Sequence, residues 1–403
     1  MDWADTATTV RLPDGNIAAL RPLDPAAPWV SAWRALSLRP FVENLFYDPD
    51  FALAARDAFG DGVEVILVGD RPPEQLGLQL RAVWPYRRQR LRWGIPLRLA
   101  MGWMHGYGVF GVPLLDPIAP ANALDALLQA MGRLGGPRAM LTYVPTSGPF
   151  ADLLERSCRS QGLAQARFWA HSRAVFDPST QGNNDRAQYL DRLSPRRKRR
   201  LRHSAERLAP LKFESVRDVA SLRAALDDYI ALEGAGWKGR AGTALGDAPG
   251  EVALLHASVA AFGARGRVRI DRLRRDGTTL ASAITYITGT RAWCLKISFA
   301  EAVARDSPGA LLLQQMTQGL IADGTLAGAD SCAPPDFQLA ETFWAERMPL
   351  AHILIETPGG DPLFGFARRL EGLRARLSRW LARRARTRAA LKTGAASATS
   401  RND

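Results

Sequence analysis

The stretch Arg291 to Leu313, RAWCLKISFAEAVARDSPGALLL, constrains the fold of this chain more than any other. It reads as a β-strand, a short irregular loop and a helix that begins at Ser307-Pro308-Gly309. Ser307 suits an N-cap, and Pro308 suits the first helical position, where its missing N–H would have been unpaired anyway. Gly309 has no side chain, so a ligand can come close to the backbone. Such a start offers several N–H groups and the positive end of the helix dipole to an anion. A strand feeding such a helix is a common way to hold a pyrophosphate. Arg305 adds charge beside it, and Ala310 completes the turn.

The pattern around this stretch predicts a mixed α/β unit from about residue 186 to 358. It runs helix (Arg186 to Ala209), strand (Lys212 to Val216), helix (Asp218 to Gly234), loop (Ala235 to Pro249) and helix (Glu251 to Ala264). Asp276-Gly277 between the alternating runs 268–274 and 279–287 is a strong hairpin signal. A last strand is expected near His352 to Ile355. Residues 1–180 read as a first α/β domain, with strand-like Val63 to Val68 and helical Ala121 to Leu134. The polar, turn-rich Asp177 to Asp185 marks the boundary, so the domains are expected at 1–180, 181–360 and a tail at 361–403.

Composition excludes several classes. At 47% hydrophobic, the 403-residue chain is globular rather than disordered and holds two ordinary cores. Cys158, Cys294 and Cys332 are scattered, with neither metal-ligand spacing nor a disulfide framework. That fits a reducing cytoplasm, as does an N-terminus without a basic and then apolar leader. The apolar Leu99 to Leu115 is short for a membrane span and carries glycines, a proline and His105. It reads as buried strands and turns, or as a loop that dips into a lipid interface. The net charge of +13 is uneven, because 361–403 holds eleven basic residues against three acids. In that tail Leu363, Phe366, Leu370, Leu373, Leu377 and Trp380 form one apolar stripe among arginines. Such a helix lies on an anionic membrane surface through 361–392, or packs its stripe on protein; Gly394 to Asp403 reads as disordered. A second basic run, six residues in the seven from Arg196 to Arg202, is a solvated face, a contact for the adenosine phosphate of a cofactor, or a lipid contact. No recognition fold or aromatic interleaving accompanies it, so nucleic acid is not expected as a partner.

Five segments in order carry a family resemblance: RRKRRLRHSAERL (196–208), GWK (236–238), LRRDGTTLASAITY (273–286), WCLKISF (293–299) and DSPGALLL (306–313). Together they resemble the GNAT superfamily of acyl-CoA N-acyltransferases. More narrowly, they resemble the CelD/BcsL family named for cellulose biosynthesis. The resemblance implies two GNAT-like domains with mixed central sheets, here followed by a basic amphipathic helix. It also implies acyl-CoA as co-substrate, no metal, and an amine acceptor. The expected acceptor is a lipid amine such as a sphingoid base, or an amino sugar of an exopolysaccharide. The alternative is a non-catalytic scaffold of a membrane polysaccharide-synthesis complex. The stretch ADSCAPPDFQLAETFW (329–344) departs from the family pattern where the acceptor is expected.

Direct transfer needs the two reactants positioned, a proton relayed and a carbonyl polarised. Lys296, between apolar neighbours, is a candidate for contact with phosphate, acceptor or developing charge; otherwise its stem packs and its ammonium reaches water. Asp306 is a candidate base, or a plain carboxylate at a helix start. Ser307 to Ala310 and Arg305 are candidates for the pyrophosphate, Trp237 and Lys238 for the pocket wall and phosphate, and Asp330 and Asp336 for a cationic amine. Cys332 is a proton donor to the leaving thiolate, or a small buried residue.

Overall fold

The computed structural model describes residues 7–181, 186–334 and 337–399, a few segments, among them 237–238 and 385–399, by backbone alone. In the first half the strands are β1 (Thr9–Arg11), β2 (Ile17–Pro22), β3 (Val63–Gly69), β4 (Leu80–Gln89), β5 (Leu99–Gly102), β6 (Leu114–Leu115), β7 (Arg138–Pro145) and β8 (Gln165–Phe176). In the second they are β9 (Lys212–Val216), β10 (Val268–Arg275), β11 (Thr278–Thr288), β12 (Arg291–Phe299), β13 (Gly328–Asp330) and β14 (Glu346–Glu356). All join one sheet in the order β1-β2-β3-β4-β5-β7-β14-β8-β13-β12-β11-β10-β9, with β6 on β4. The hairpin forms as its Asp-Gly turn predicts, with Asp276 and Gly277 both at positive φ.

Two features of the pairing matter for function. Two pairs are parallel, β5 with β7 and β12 with β13, one in each half. And β14, the last strand, does not close its own half but lies antiparallel between β7 and β8. The halves also share a core. Phe46 and Phe51 of the first meet Trp293 and Tyr286 of the second edge-on, at 5.6 and 5.7 Å between ring centroids. The apolar Leu99 to Leu115 forms β5, a turn and β6, and Leu99, Trp103, Phe110 and Leu114 are buried. Among the described residues no helix is long and apolar enough to cross a membrane.

The C-terminal helix (Phe364–Thr399) packs on the first half, and of its apolar stripe Leu370 alone takes part in that packing. Phe364, Ala367, Glu371 and Ala375 face the protein, while Leu363, Phe366, Leu373, Leu377 and Trp380 are exposed. The helix runs past Gly394, through an alanine-rich stretch of high helix propensity, where the sequence reading ended it. Its anchor is the wholly buried Glu371. One carboxylate oxygen accepts from Arg92 Nε (2.9 Å) and Trp93 Nε1 (2.8 Å); the other accepts from Arg92 Nη2 and Trp169 Nε1, both at 2.8 Å. One turn before the helix, Arg138 makes a buried bidentate pair with Asp361.

Burial alone would raise the pKa of Glu371, but the Arg92 guanidinium and the two indole N–H groups outweigh it, and it lies below its ordinary 4.5. A carboxylate depressed in the folded state contributes stability in full above its unfolded value and loses it as pH falls through the folded one. Glu371→Gln is therefore expected to unfold at lower temperature than the wild type at neutral pH, by about 3–5 kcal/mol of stability. The gap between the two is expected to narrow as pH falls below the ordinary 4.5 toward the depressed folded value, which thermal melts across pH will read.

Candidate functional site

The strands β12 and β13 stay together for three residue pairs, Arg291 with Gly328, Ala292 with Ala329 and Trp293 with Asp330. β13 ends there, and on its other edge the same Ala329 and Asp330 pair antiparallel with Phe176 and Val175 of β8. Gly328 permits this close pairing, since a Cβ there would lie 2.6 Å from the Phe176 carbonyl oxygen. From Cys294 to Phe299, β12 is thus open on its β13 side. On its other side one residue is extra: Ile284 pairs with Lys296 but Thr285 with Cys294, which leaves Leu295 as a bulge. Bulges re-aim side chains and are common beside active sites.

The opening leads to a cavity of about 480 Å³. Ser307, Pro308, Gly309 and Ala310, at the start of the Pro308–Ala322 helix, form one wall. Arg197 and Arg200 come from the Pro195–Leu208 helix opposite, on the same face as Leu201 and Ser204. Ile297, Phe299, Leu339 and Phe343 supply an apolar wall, and Glu233 completes it. A narrow cleft of about 30 Å³ continues along β12 past Cys294, Lys296 and Ser331, sharing Ile297, Phe337 and Leu339 with the larger cavity. The cavity thus brings the Gly309 backbone at the helix start and two guanidinium groups to one space, with apolar surface leading away from them.

The start of that helix differs in detail from its sequence reading. Ser307 stands at the N-cap position but at φ 51°, ψ 51°, and its side chain makes no cap bond. It also ends the preceding turn (Glu301–Asp306), and a left-handed residue is the usual way to finish one. Its carbonyl accepts from the N–H groups of Ala310 (2.9 Å) and Leu311 (3.3 Å). Gly309 is closely packed, and a Cβ there would sit 3.3 Å from Phe299 Cδ1.

The other candidates divide. Lys296 borders the cleft, with Nζ 4.0 Å from Glu233 Oε1 and 4.5 Å from the centre of the Tyr107 ring. Tyr107 belongs to the first half and donates to Glu251 Oε2 at 2.7 Å; burial, then that bond, raises its pKa. Asp306 accepts from Arg207 Nε at 2.5 Å, facing the basic helix. Arg305 is exposed and does not line the cavity. Asp330, expected to meet a cationic amine, is instead fully buried: one oxygen accepts from Arg173 Nη2 at 2.6 Å and the other from the Cys332 N–H at 2.8 Å. The pair ties β8 to β13, so its charge is spent within the fold. Cys332 is buried, and burial followed by the Asp330 charge pushes its thiol well above the usual range, which makes it a poor proton donor at neutral pH. Asp336 and the side chains of Trp237 and Lys238 lie outside the described residues.

Sequence reasoning missed Glu233. It is only 3% exposed, at the end of the Val219–Gly234 helix, with Oε2 accepting the Leu245 N–H at 2.9 Å. Leu222, Leu226, Tyr229 and Glu233 share one helix face, all buried. A carboxylate ending a core stripe was the available signal.

The first half repeats the parallel pair but not the opening. After Ala100 and Met101 pair with Ala139 and Met140, the chain from Trp103 to Val112 fills the space. Gly111 lies so close to β7 that a Cβ would be 2.2 Å from the Thr142 carbonyl oxygen.

A family model described as Acetyltransferase (GNAT) domain matches residues 194–336, which supply most of the cavity lining; Phe337, Leu339, Thr342 and Phe343 lie just beyond the match. The overall fold is similar to that of FemX, at 9% identity, covering 84% of this chain and 98% of that one, with a TM-score of 0.55. It is also similar to a conserved protein of unknown function from Bacteroides thetaiotaomicron, at 9% identity, 81% and 97% coverage and a TM-score of 0.50. The C-terminal domain of a putative lysylphosphatidylglycerol synthetase from Agrobacterium fabrum aligns at 14% identity, 81% and 91% coverage and a TM-score of 0.49. No curated protein matches the sequence. The family match gives the chain a GNAT-type fold, here with the strands of both halves joined in one large mixed sheet.

Burial pushes the thiols of Cys158 and Cys294 up to about 11 and about 12. In native protein, Ellman's reagent is expected to leave Cys158 and Cys332 untouched until unfolding, with the half-buried Cys294 the first to react. Prompt native labelling of Cys332, read by mass spectrometry, is the opposite outcome.

Proposed function

We propose that the chain is an acyltransferase that moves an acyl group from acyl-CoA to an amine of a cell-envelope precursor. The acceptor is a lipid amine such as a sphingoid base, or an amino sugar of an exopolysaccharide. One observation carries the reading: an anion-receptive helix start opens, along an apolar wall, onto the unpaired edge of β12 beside Lys296 and Glu233. The narrower likeness to the CelD/BcsL family belongs to the same proposal and rests on the motif order from Arg196 to Leu313.

In this reading the Gly309 N–H, with Arg197 and Arg200, takes the diphosphate beside the Ala310 backbone, and the apolar wall takes the pantetheine arm. The neutral amine attacks the thioester carbonyl carbon, so that an N–C bond forms and the C–S bond breaks. The proton leaving nitrogen passes to Glu233 and ends on the CoA sulfur. Lys296, held between Glu233 and the Tyr107 ring, places positive charge beside the developing oxyanion. Asp306, facing Arg207, positions the basic helix against the helix start.

The exposed stripe of the C-terminal helix supports a peripheral site of action. Leu373, Leu377 and Trp380 project away from the protein, and the exposed Arg369, Arg374 and Arg376 flank them. An apolar face bordered by arginine matches an anionic bilayer surface, where each nearby basic residue contributes about 1 kcal/mol.

Four measurements test this. Incubation with acyl-CoA is expected to release CoA only when an acceptor amine is present; CoA binding without amine-dependent release would leave the scaffold role instead. Arg197→Ala with Arg200→Ala is expected to weaken CoA binding by roughly tenfold or more. Glu233→Gln is expected to lower kcat by about a hundredfold with CoA affinity kept. Full-length protein is expected to sediment with phosphatidylglycerol vesicles, and Leu373→Glu with Leu377→Glu to abolish that without changing Tm. Equal sedimentation by both removes the membrane role.

A further inference from the structure

A second cavity, of about 600 Å³, lies between the C-terminal helix and the strands β7, β14 and β8, and it shares no wall residue with the cavity at Ser307. The three strands are irregular at one level. Between the pairs Leu141–Ile353 and Val144–Ala351, β7 carries one residue more than β14. Between Phe168–His352 and His171–Leu350, β8 does the same. Each bulge holds an aromatic residue in the left-handed region, Tyr143 at φ 49° and Trp169 at φ 56°. Such backbone is strained and persists where the surroundings over-determine it. Here the two bulges flank His352, and all three residues line the cavity.

His352 is 7% exposed, and its Nδ1 has no hydrogen-bond partner among the described residues. The Tyr143 ring stands edge-on to His352 at 4.8 Å and to His171 at 5.7 Å. His171 Nδ1 meets the Trp169 carbonyl oxygen at 3.1 Å; a carbonyl only accepts, so Nδ1 carries the proton. Burial, then Arg92, lowers the pKa of His352 to about 4, so its ring is neutral near pH 7 and can present an N–H at Nδ1. Arg167, Arg376 and Arg379 add three positive charges to the wall, and no carboxylate stands among the described lining residues. The nearby Glu371 is already met by Arg92, Trp93 and Trp169. Phe168 and Ala375 contribute apolar surface.

We infer that this cavity binds a small phosphate ester, with the phosphate on the arginines and His352 and the organic part against Phe168 and Trp169. Three guanidinium groups exceed what one carboxylate balances, and their planar fork matches phosphate oxygens. Free ester and lipid headgroup present the same chemistry, and the site stands independently of the proposed transfer reaction.

The chain has five histidines, so ring NMR signals give a local readout. Titration of full-length protein with glycerol 3-phosphate, and separately with dihexanoylphosphatidic acid, is expected to shift His171 and His352 and to leave His105, His203 and His256 in place. A response to both marks a site for the soluble ester; a response to the lipid alone marks a headgroup site. Arg376→Ala with Arg379→Ala, both exposed on the helix, is expected to weaken the response by roughly tenfold or more, with Tm and CoA affinity unchanged. If neither histidine moves with either compound, or if the double variant binds as well as the wild type, the inference is overturned.

Discussion

The site depends on two strands that part after three residue pairs. Had β13 followed β12 to Phe299, the ladder would have covered the edge that borders the cleft and closed the way to the helix start. β13 ends at Asp330, and its other edge is held by the first half. Ala329 and Asp330 pair with β8, Ser331 N–H reaches the Ala174 carbonyl, and Asp330 is locked to Arg173. In the first half the same parallel start exists, but a packed loop occupies the space after it, which leaves the second half as the one with a cleft at this level.

Three buried carboxylates hold distant parts of the chain in register: Asp330 on Arg173, Asp361 on Arg138 and Glu371 on Arg92. Taking both charges out of water costs several kcal/mol per ion, so such pairs add little net stability over an apolar replacement. They are exacting about geometry, because removing one partner strands the other. Each joins segments well over a hundred residues apart, and together they fix β8 against β13 and the last helix against the first half. The seating of β14 between β7 and β8 does the same with backbone bonds.

Much of the second half was legible from local chemistry. Asp276-Gly277 made its hairpin, the run from Arg291 made its strand, and Pro308 began its helix, because turn, alternation and helix-start preferences act over a few residues. Ser307 to Ala310 reached the cavity wall for the same reason. Acidic candidates fared otherwise. Asp330 reads in sequence as a loop aspartate, and only Arg173, far earlier in the chain, makes it a buried structural ion. Glu233 reads as one more acid at a helix end, and only the fold carries it to the cavity beside Lys296. The leucine stripe of the tail was visible, yet its direction was not, since helical periodicity says which residues share a face and nothing about which face a neighbour covers.

The sequence by itself determined most elements of the second half, the helix start at Pro308 and the concentration of positive charge in the tail, since each follows from short-range backbone preference or from composition. The tertiary structure decided which carboxylates face a cavity and which are consumed in ion pairs, that one half is open and the other filled, and that the tail is held by Glu371 with most of its leucines turned outward. Those outcomes rest on contacts between residues far apart in the chain, whose pairing no local pattern encodes.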